Sequence, residues 1–169
     1  MSKLALLTAA LALLALPTAA QDAGATAVMM DQSGTNLGTL TLTDSDGGVH
    51  LSGELTGVPN GEHGFHMHET GICDAAAKFE SAGAHFEPAG KKHGTESPDG
   101  PHAGDLMNVT ADDDGKAVVD LHNANVTLEQ LRDTDGAALV LHADPDDYTT
   151  DPSGNSGDRF ACGVIEDGQ

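Results

Sequence analysis

The sequence predicts an all-β domain, an eight-stranded antiparallel sandwich or barrel with two long functional loops. Three observations predict it. Short segments alternate apolar and polar residues with a period of two, Gly- and Asp-rich turns separate them, and two connections are too long to be turns. Residues 26–32 (TAVMMDQ), 36–43 (NLGTLTLT), 48–55 (GVHLSGEL) and 62–68 (EHGFHMH) read as the first four strands, with DSDGG and VPNG as turns. Residues 105–111 (DLMNVTA), 116–122 (KAVVDLH), 137–142 (AALVLH) and 159–165 (RFACGVI) read as the other four, and DDDG joins the first two of these as a hairpin. Only TLEQLRD (127–133) has a helical look, and it is brief. The long connections are 69–104 and 143–158. Connections of this length in a compact domain are usually functional or disordered. The first holds Cys73, His85, His93 and His102, which argues for function. No internal repeat and no second domain are visible.

The 169 residues suffice for one domain and one sizeable core. The first twenty are of another kind. Lys3 supplies a positive start, residues 4–16 are apolar apart from one threonine, and Pro17-Thr18-Ala19-Ala20 ends in small residues. That order is a secretory signal, and it is shorter than the roughly 20 apolar residues that span a bilayer. Residues 1–20 are therefore expected to be a signal peptide, cleaved after Ala20, and residues 21–169 an exported domain without a membrane anchor. The formal charge is −20, and loss of the leader with its single Lys3 makes it −21. Such a surface excludes nucleic acid and anionic membranes as partners. Two cysteines, Cys73 and Cys162, in an exported chain read naturally as one disulfide, with two buried thiols as the alternative. The N-x-T triplets at Asn108 and Asn125 match a glycosylation pattern, too short to carry weight.

Nine histidines carry the chemistry. In GFHMHE, His66 and His68 lie two apart, so a strand presents both on one face and Phe65 and Met67 on the other. Two imidazoles so placed can grip one metal ion. His85, His93 and His102 sit eight or nine residues apart, with Asp105 three beyond the last. Three nitrogens and one oxygen make a tetrahedral zinc set, and imidazole-rich sites with an open position also suit copper. His142 closes the LVLH strand before the second long loop. His50, His63 and His122 stand in ordinary contexts.

The motifs GFHMHE, AGAHFEP, KKHG, GPHAGDL, LVLHAD and GNSGDRFACGVI, in this order, resemble a copper/zinc superoxide dismutase of the exported, periplasmic bacterial type. The resemblance spans nearly all of residues 21–169. It implies a Greek-key arrangement of the eight strands, copper and zinc as cofactors, and superoxide as substrate. It further implies His66, His68, His85 and His142 as copper ligands, and His85, His93, His102 and Asp105 as zinc ligands, with His85 shared. Asp146 matches the outer aspartate linking His66 to His93, Arg159 the active-site arginine, and Cys73–Cys162 the family disulfide. Arg159 and His85 are the catalytic residues it implies, His85 as bridge and proton carrier. Met67 stands where an aliphatic residue is usual, Asp158 adds a negative charge before Arg159, and residues 143–158 contain no lysine. Lys91 and Lys92 are the expected partial compensation. The rival reading is an exported copper/zinc-binding protein on the same fold without turnover. No interface is legible, which leaves a homodimer open.

Overall fold

The computed structural model describes residues 24–168. The expected signal peptide, residues 1–20, lies outside them. Nine strands form one antiparallel sheet: β1 (Ala25–Asp31), β2 (Asn36–Ser45), β3 (Gly48–Leu55), β4 (Gly61–His63), β5 (Phe65–His68), β6 (Val109–Ala111), β7 (Ala117–Asn123), β8 (Ala138–His142) and β9 (Arg159–Asp167). Their order across the sheet is β4-β6-β7-β3-β2-β1-β9-β8-β5.

The ninth strand arises from a break. The expected strand 62–68 divides at Gly64: β4 pairs with β6 at one end of the order, and β5 pairs with β8 at the other. One chain segment thus occupies both edges and all but closes the barrel, which removes open edges. Gly64 donates its N–H to Asp144 O (2.9 Å), and its carbonyl accepts from His142 N (2.8 Å). A Cβ here would meet Ser156 Cβ at 2.7 Å, so no side chain fits at the break. Counting β4 and β5 as one strand restores eight. The connection β3→β4 then passes over β7 and β6, and β7→β8 passes over β6 and β4/β5, a Greek-key path.

Burial explains where the site lies. In β2, Leu40 and Leu42 face the core while Thr39, Thr41 and Thr43 face water, the alternation of a wall solvated on one side. In β5 and β8 every residue is buried. Phe65, Met67, Leu139 and Leu141 fill the barrel with Met29, Leu40 and Leu51. Met67 packs fully in that core, as its flexible thioether permits. The outward residues Ala138 and Val140 form a second cluster with Phe79, Ala82 and Cys162. The long connection therefore lies over the outer face of β8 and β9, fastened there by the Cys73–Cys162 disulfide. Closing an 89-residue loop restricts the unfolded chain by about 4–5 kcal/mol in the loop-entropy account.

Two expected elements are shorter than predicted. Of residues 105–111 only Val109–Ala111 is strand, because Asp105 turns its side chain to the histidines. The helix over 127–133 is one turn, Leu128–Leu131 (α1). Thr127 caps it through a reciprocal pair of bonds with Gln130, and Leu128 and Leu131 are buried beneath it.

Candidate metal centre

The histidines meet outside the barrel wall, between β5, β8 and the two long connections. Strand alternation turns His66 and His68 outward, opposite Phe65 and Met67, and β8 delivers His142 at its end. The loop supplies His85 through an isolated bridge to His68, and Asp105 through one to His66.

The centre has two halves that share His85. In one, three ring nitrogens surround a carboxylate. The Nδ1 atoms of His85, His93 and His102 lie 2.9, 3.0 and 3.3 Å from Asp105 Oδ1, and His102 Nδ1 lies 3.4 Å from His85 Nδ1. The other oxygen, Oδ2, accepts the backbone N–H groups of Gly94 (2.9 Å) and His102 (3.0 Å). Burial alone would raise the Asp105 pKa, but the bonds from His85, His93 and Gly94 hold it far below the ordinary carboxylate range. Burial also opposes charge on His93, yet its bonds to Asp105 and Asp146 outweigh that and push its pKa up to about 9.

In the other half no charge is present. His66 Nδ1, His68 Nε2, His85 Nε2 and His142 Nε2 are buried and meet no protein partner. His66, His68, His85 and His142 bring donor atoms within 4.8 Å of one another. The second nitrogen of each ring is tied down elsewhere. His66 Nε2 binds Asp146 Oδ2 (2.8 Å), His68 Nδ1 binds Gly83 O (3.0 Å), and His142 Nδ1 binds Gly157 O (3.3 Å). Those outer bonds fix the tautomer and direct the remaining lone pairs inward. Burial, with the neighbouring imidazoles adding to it, lowers the pKa of His85 to about 4 and of His142 to about 3, and that of His68 well below its ordinary value. All three are neutral at physiological pH, as metal ligation requires.

Asp146 joins the halves. Its Oδ2 takes His66 and its Oδ1 takes His93 Nε2 at 3.0 Å. A Cβ on Gly154 would collide with this carboxylate, and Gly154 also has φ +63, so glycine is required there twice over. Arg159, at the start of β9, donates to Phe79 O and Gly83 O at 2.7 Å each. Phe79 adopts a left-handed backbone (φ 62), a strained conformation that aims its carbonyl at the guanidinium. Gly83 O accepts from both Arg159 and His68, so one carbonyl sets the cation beside a ring of the uncharged half. A cavity of about 290 Å³ opens here, lined by His68, His85, His142 and Arg159 among others.

Comparison with known proteins agrees with this geometry. The family model for copper/zinc superoxide dismutase matches residues 36–165. The chain belongs to the copper/zinc superoxide dismutases. It is 43% identical to superoxide dismutase [Cu-Zn] 2 of Aquifex aeolicus, covering 98% of this chain and 99% of that one. It is 42% identical to the superoxide dismutase [Cu-Zn] of Caulobacter vibrioides over 84% and 85% of the two chains. The crystal structure of a SOD-like protein from Bacillus subtilis superposes with a TM-score of 0.75 at 36% identity, covering 82% of this chain and 96% of that one.

The donor sets fit the family's two metals. A tetrahedron with metal–ligand bonds of about 2.0–2.1 Å has edges of roughly 3.3 Å, close to the 2.9–3.4 Å separations around Asp105. Four buried imidazole nitrogens aimed at one another suit copper, and no carboxylate faces them. His85 offers one nitrogen to each half. The expected site residues are all in this assembly: the six histidines, Asp105, Asp146, Arg159 and the disulfide. Lys91 and Lys92 do not line the cavity; the acids Glu80 and Asp158 do.

Three contributors were not legible in the sequence. His63 is buried, with its ring nitrogens 2.8 Å from His142 O and from Pro59 O, so it ties the barrel closure to the His142 backbone. Asn108 holds the Asp146 backbone at both ends, donating to Asp146 O (3.0 Å) and accepting from Asp146 N (2.9 Å). Its N-x-T triplet signals nothing of this. Glu80 lies 3.6 Å from the Arg159 guanidinium. Only the oddity of an acid two residues before AGAHF could have drawn the eye.

Proposed function

We propose that this protein dismutes superoxide, 2 O2•− + 2 H+ → O2 + H2O2. His66, His68, His85 and His142 hold copper, and His85, His93, His102 and Asp105 hold zinc. Bound copper supplies one-electron chemistry in both directions, and zinc a fixed positive charge behind the shared ring. The protein residues do the rest. Arg159 binds the anion in the cavity and orients it toward the uncharged half. His85 would carry a proton at Nε2, the atom facing that half, only while that atom is not ligating, and would give that proton to the reduced product before ligating again. Its other nitrogen stays toward Asp105, so the ring returns to the same place. Asp146 holds His66 and His93 in register.

One observation carries the reading over the rival of a metal carrier without turnover. Three of the four histidines with partnerless nitrogens, His68, His85 and His142, line a cavity that the half-buried guanidinium of Arg159 also lines. A carrier has no use for an anion-binding group at its metal. Metal-loaded protein should consume superoxide at a rate proportional to bound copper. Full loading at two metals per chain with no acceleration would favour the carrier.

The same reading places the enzyme outside the cytoplasm of a bacterium, in the periplasm. The order of residues 1–20 and the Cys73–Cys162 disulfide support it. Among the described residues no helix is long and apolar enough to cross a membrane. N-terminal sequencing of protein from the envelope fraction should begin at Gln21; a start at Met1 or Ser2 would overturn the leader.

A further inference from the structure

Two histidines that the metal centre does not use face each other on the solvated wall of the barrel. His50 of β3 and His122 of β7 are directly opposed in the antiparallel register, so their side chains leave the same face of the sheet. His122 is exposed and His50 half-exposed, while Val49, Leu51 and Asn123 beside them point inward. Asp120 lies two residues before His122 and shares that face.

The hydrogen bonds fix which ring nitrogens are free. His50 Nε2 lies 2.6 Å from Asp120 Oδ1, and His122 Nε2 reaches across β3 to Ser45 O on β2 at 2.9 Å. A carbonyl and an ionised carboxylate accept hydrogen bonds but do not donate them. Both rings therefore carry their proton on Nε2. The lone pair of each neutral ring is then on Nδ1, and among the described residues neither Nδ1 has a protein partner. An imidazole held by a carboxylate through one nitrogen, with the other free, is the arrangement in which histidine binds transition metals. Directly opposed Cβ atoms stand about 5 Å apart; with His50 held by Asp120, the exposed His122 ring turned away from Ser45 O can bring its lone pair beside that of His50 around one ion.

We propose that His50 and His122 form a second, surface site for a divalent transition ion of the zinc or copper class. Asp120 orients His50, and water completes the coordination. Two imidazoles select such ions over calcium and magnesium, which take oxygen ligands. His122 also lines a groove that reaches Asp105, with Thr95 and Met107 along it. The surface site thus lies on the same flank as the carboxylate half of the main centre.

The test uses the full protein with its copper and zinc already loaded, and Zn2+ as the probe. Calorimetric titration should find one further zinc per chain, with His50 and His122 ring resonances shifting together in the NMR spectrum. His50→Gln and His122→Gln should each weaken this binding at least about 10-fold, the double variant should abolish it, and Asp120→Asn should weaken it by about 10-fold. No further zinc in the unmodified protein overturns the proposal. So does a double variant that binds as much as the unmodified chain, since the zinc would then sit on the acidic surface. Should the double variant fail to fold, the resonances of the unmodified protein decide: zinc uptake without shifts at both rings refutes the site.

Discussion

At one end of the metal centre three imidazole nitrogens crowd around the Asp105 carboxylate; at the other, four face one another with no counter-charge. The first half is organised by attraction. It carries its own negative charge, held ionised by buried N–H groups, and it raises the proton affinity of His93. The second half is organised by burial and by bonds on the far side of each ring, and it depresses the proton affinity of His85 and His142. The comparison teaches that a carboxylate can be preformed for a metal at a low cost, whereas a cluster of bare imidazoles must be held together by the surrounding fold. This suits a division between a fixed ion and one that changes charge.

The largest expected effect separates the halves by pH in the metal-stripped protein. His85 and His142 fall to about 4 and about 3 on folding, from 6.5. Below pH 6.5 the unfolded chain takes up protons that the folded chain refuses, so stability declines as pH falls, until the folded rings titrate. Two rings set a limiting slope of about 2.7 kcal/mol per pH unit, and His66 and His68 shift in the same direction. Below about pH 4 the lowered Asp105 and Asp146 add to the loss, because their stabilisation disappears as they protonate. His93 does the reverse. Its folded pKa is raised to about 9, so its stabilisation is complete below pH 6.5 and is lost as pH climbs to 9, at no more than about 1.4 kcal/mol per unit. Denaturant unfolding at pH 5, 6.5 and 8.5 should therefore peak near 6.5 and fall faster on the acid side. A peak at pH 8 or above would break the comparison.

Ligand removal comes next. His142→Ala touches only the uncharged half, and should lower dismutation at least about 100-fold while zinc stays at one per chain, since even supporting groups around a metal cost 10–100-fold. His102→Ala touches only the carboxylate half. It should lose zinc and thermal stability but keep copper, with activity down by about 10-fold or less. Equal loss of activity in the two variants, with copper retained in the second, would mean that the halves do not divide the work in this way.

Asp146→Asn tests the link. Because one carboxylate binds His66 and His93, the substitution should weaken both metals together, by about 10- to 100-fold. Loss of a single metal, measured by competition with a chelator, would show that the halves stand independently.

The smallest effects concern the anion. Arg159→Ala should reduce turnover about 10-fold with metal content unchanged, since one cation about 6 Å from an anion acts through a screened field. Glu80 is 74% exposed at its side chain and lies 3.6 Å from that guanidinium, so Glu80→Gln should raise turnover only about twofold. A fall on removing Glu80 would show that it positions Arg159 and does not merely oppose the substrate.

The sequence by itself determined what depends on local period and on residue chemistry. Alternation along GFHMH sets His66 and His68 opposite Phe65 and Met67, and β5 has that arrangement. The inventory of six histidines and one aspartate limits the chemistry to metals of the zinc and copper class. Two cysteines in a chain whose first twenty residues read as a secretory leader leave one natural bridge. Only the tertiary structure decided what depends on distance across the barrel. That EHGFHMH breaks at Gly64, with one half on each sheet edge, follows from β6 and β8 arriving from opposite sides, 41 and 70 residues or more downstream. That Asn108, in an unremarkable triplet, clamps Asp146, and that Glu80 sits beside Arg159, follows from how two long loops close over the same patch of wall. No local pattern encodes such meetings. Side chains 38 and 79 residues apart share a site because the antiparallel register and the disulfide bring their backbones together, and that register is settled by packing of the whole core.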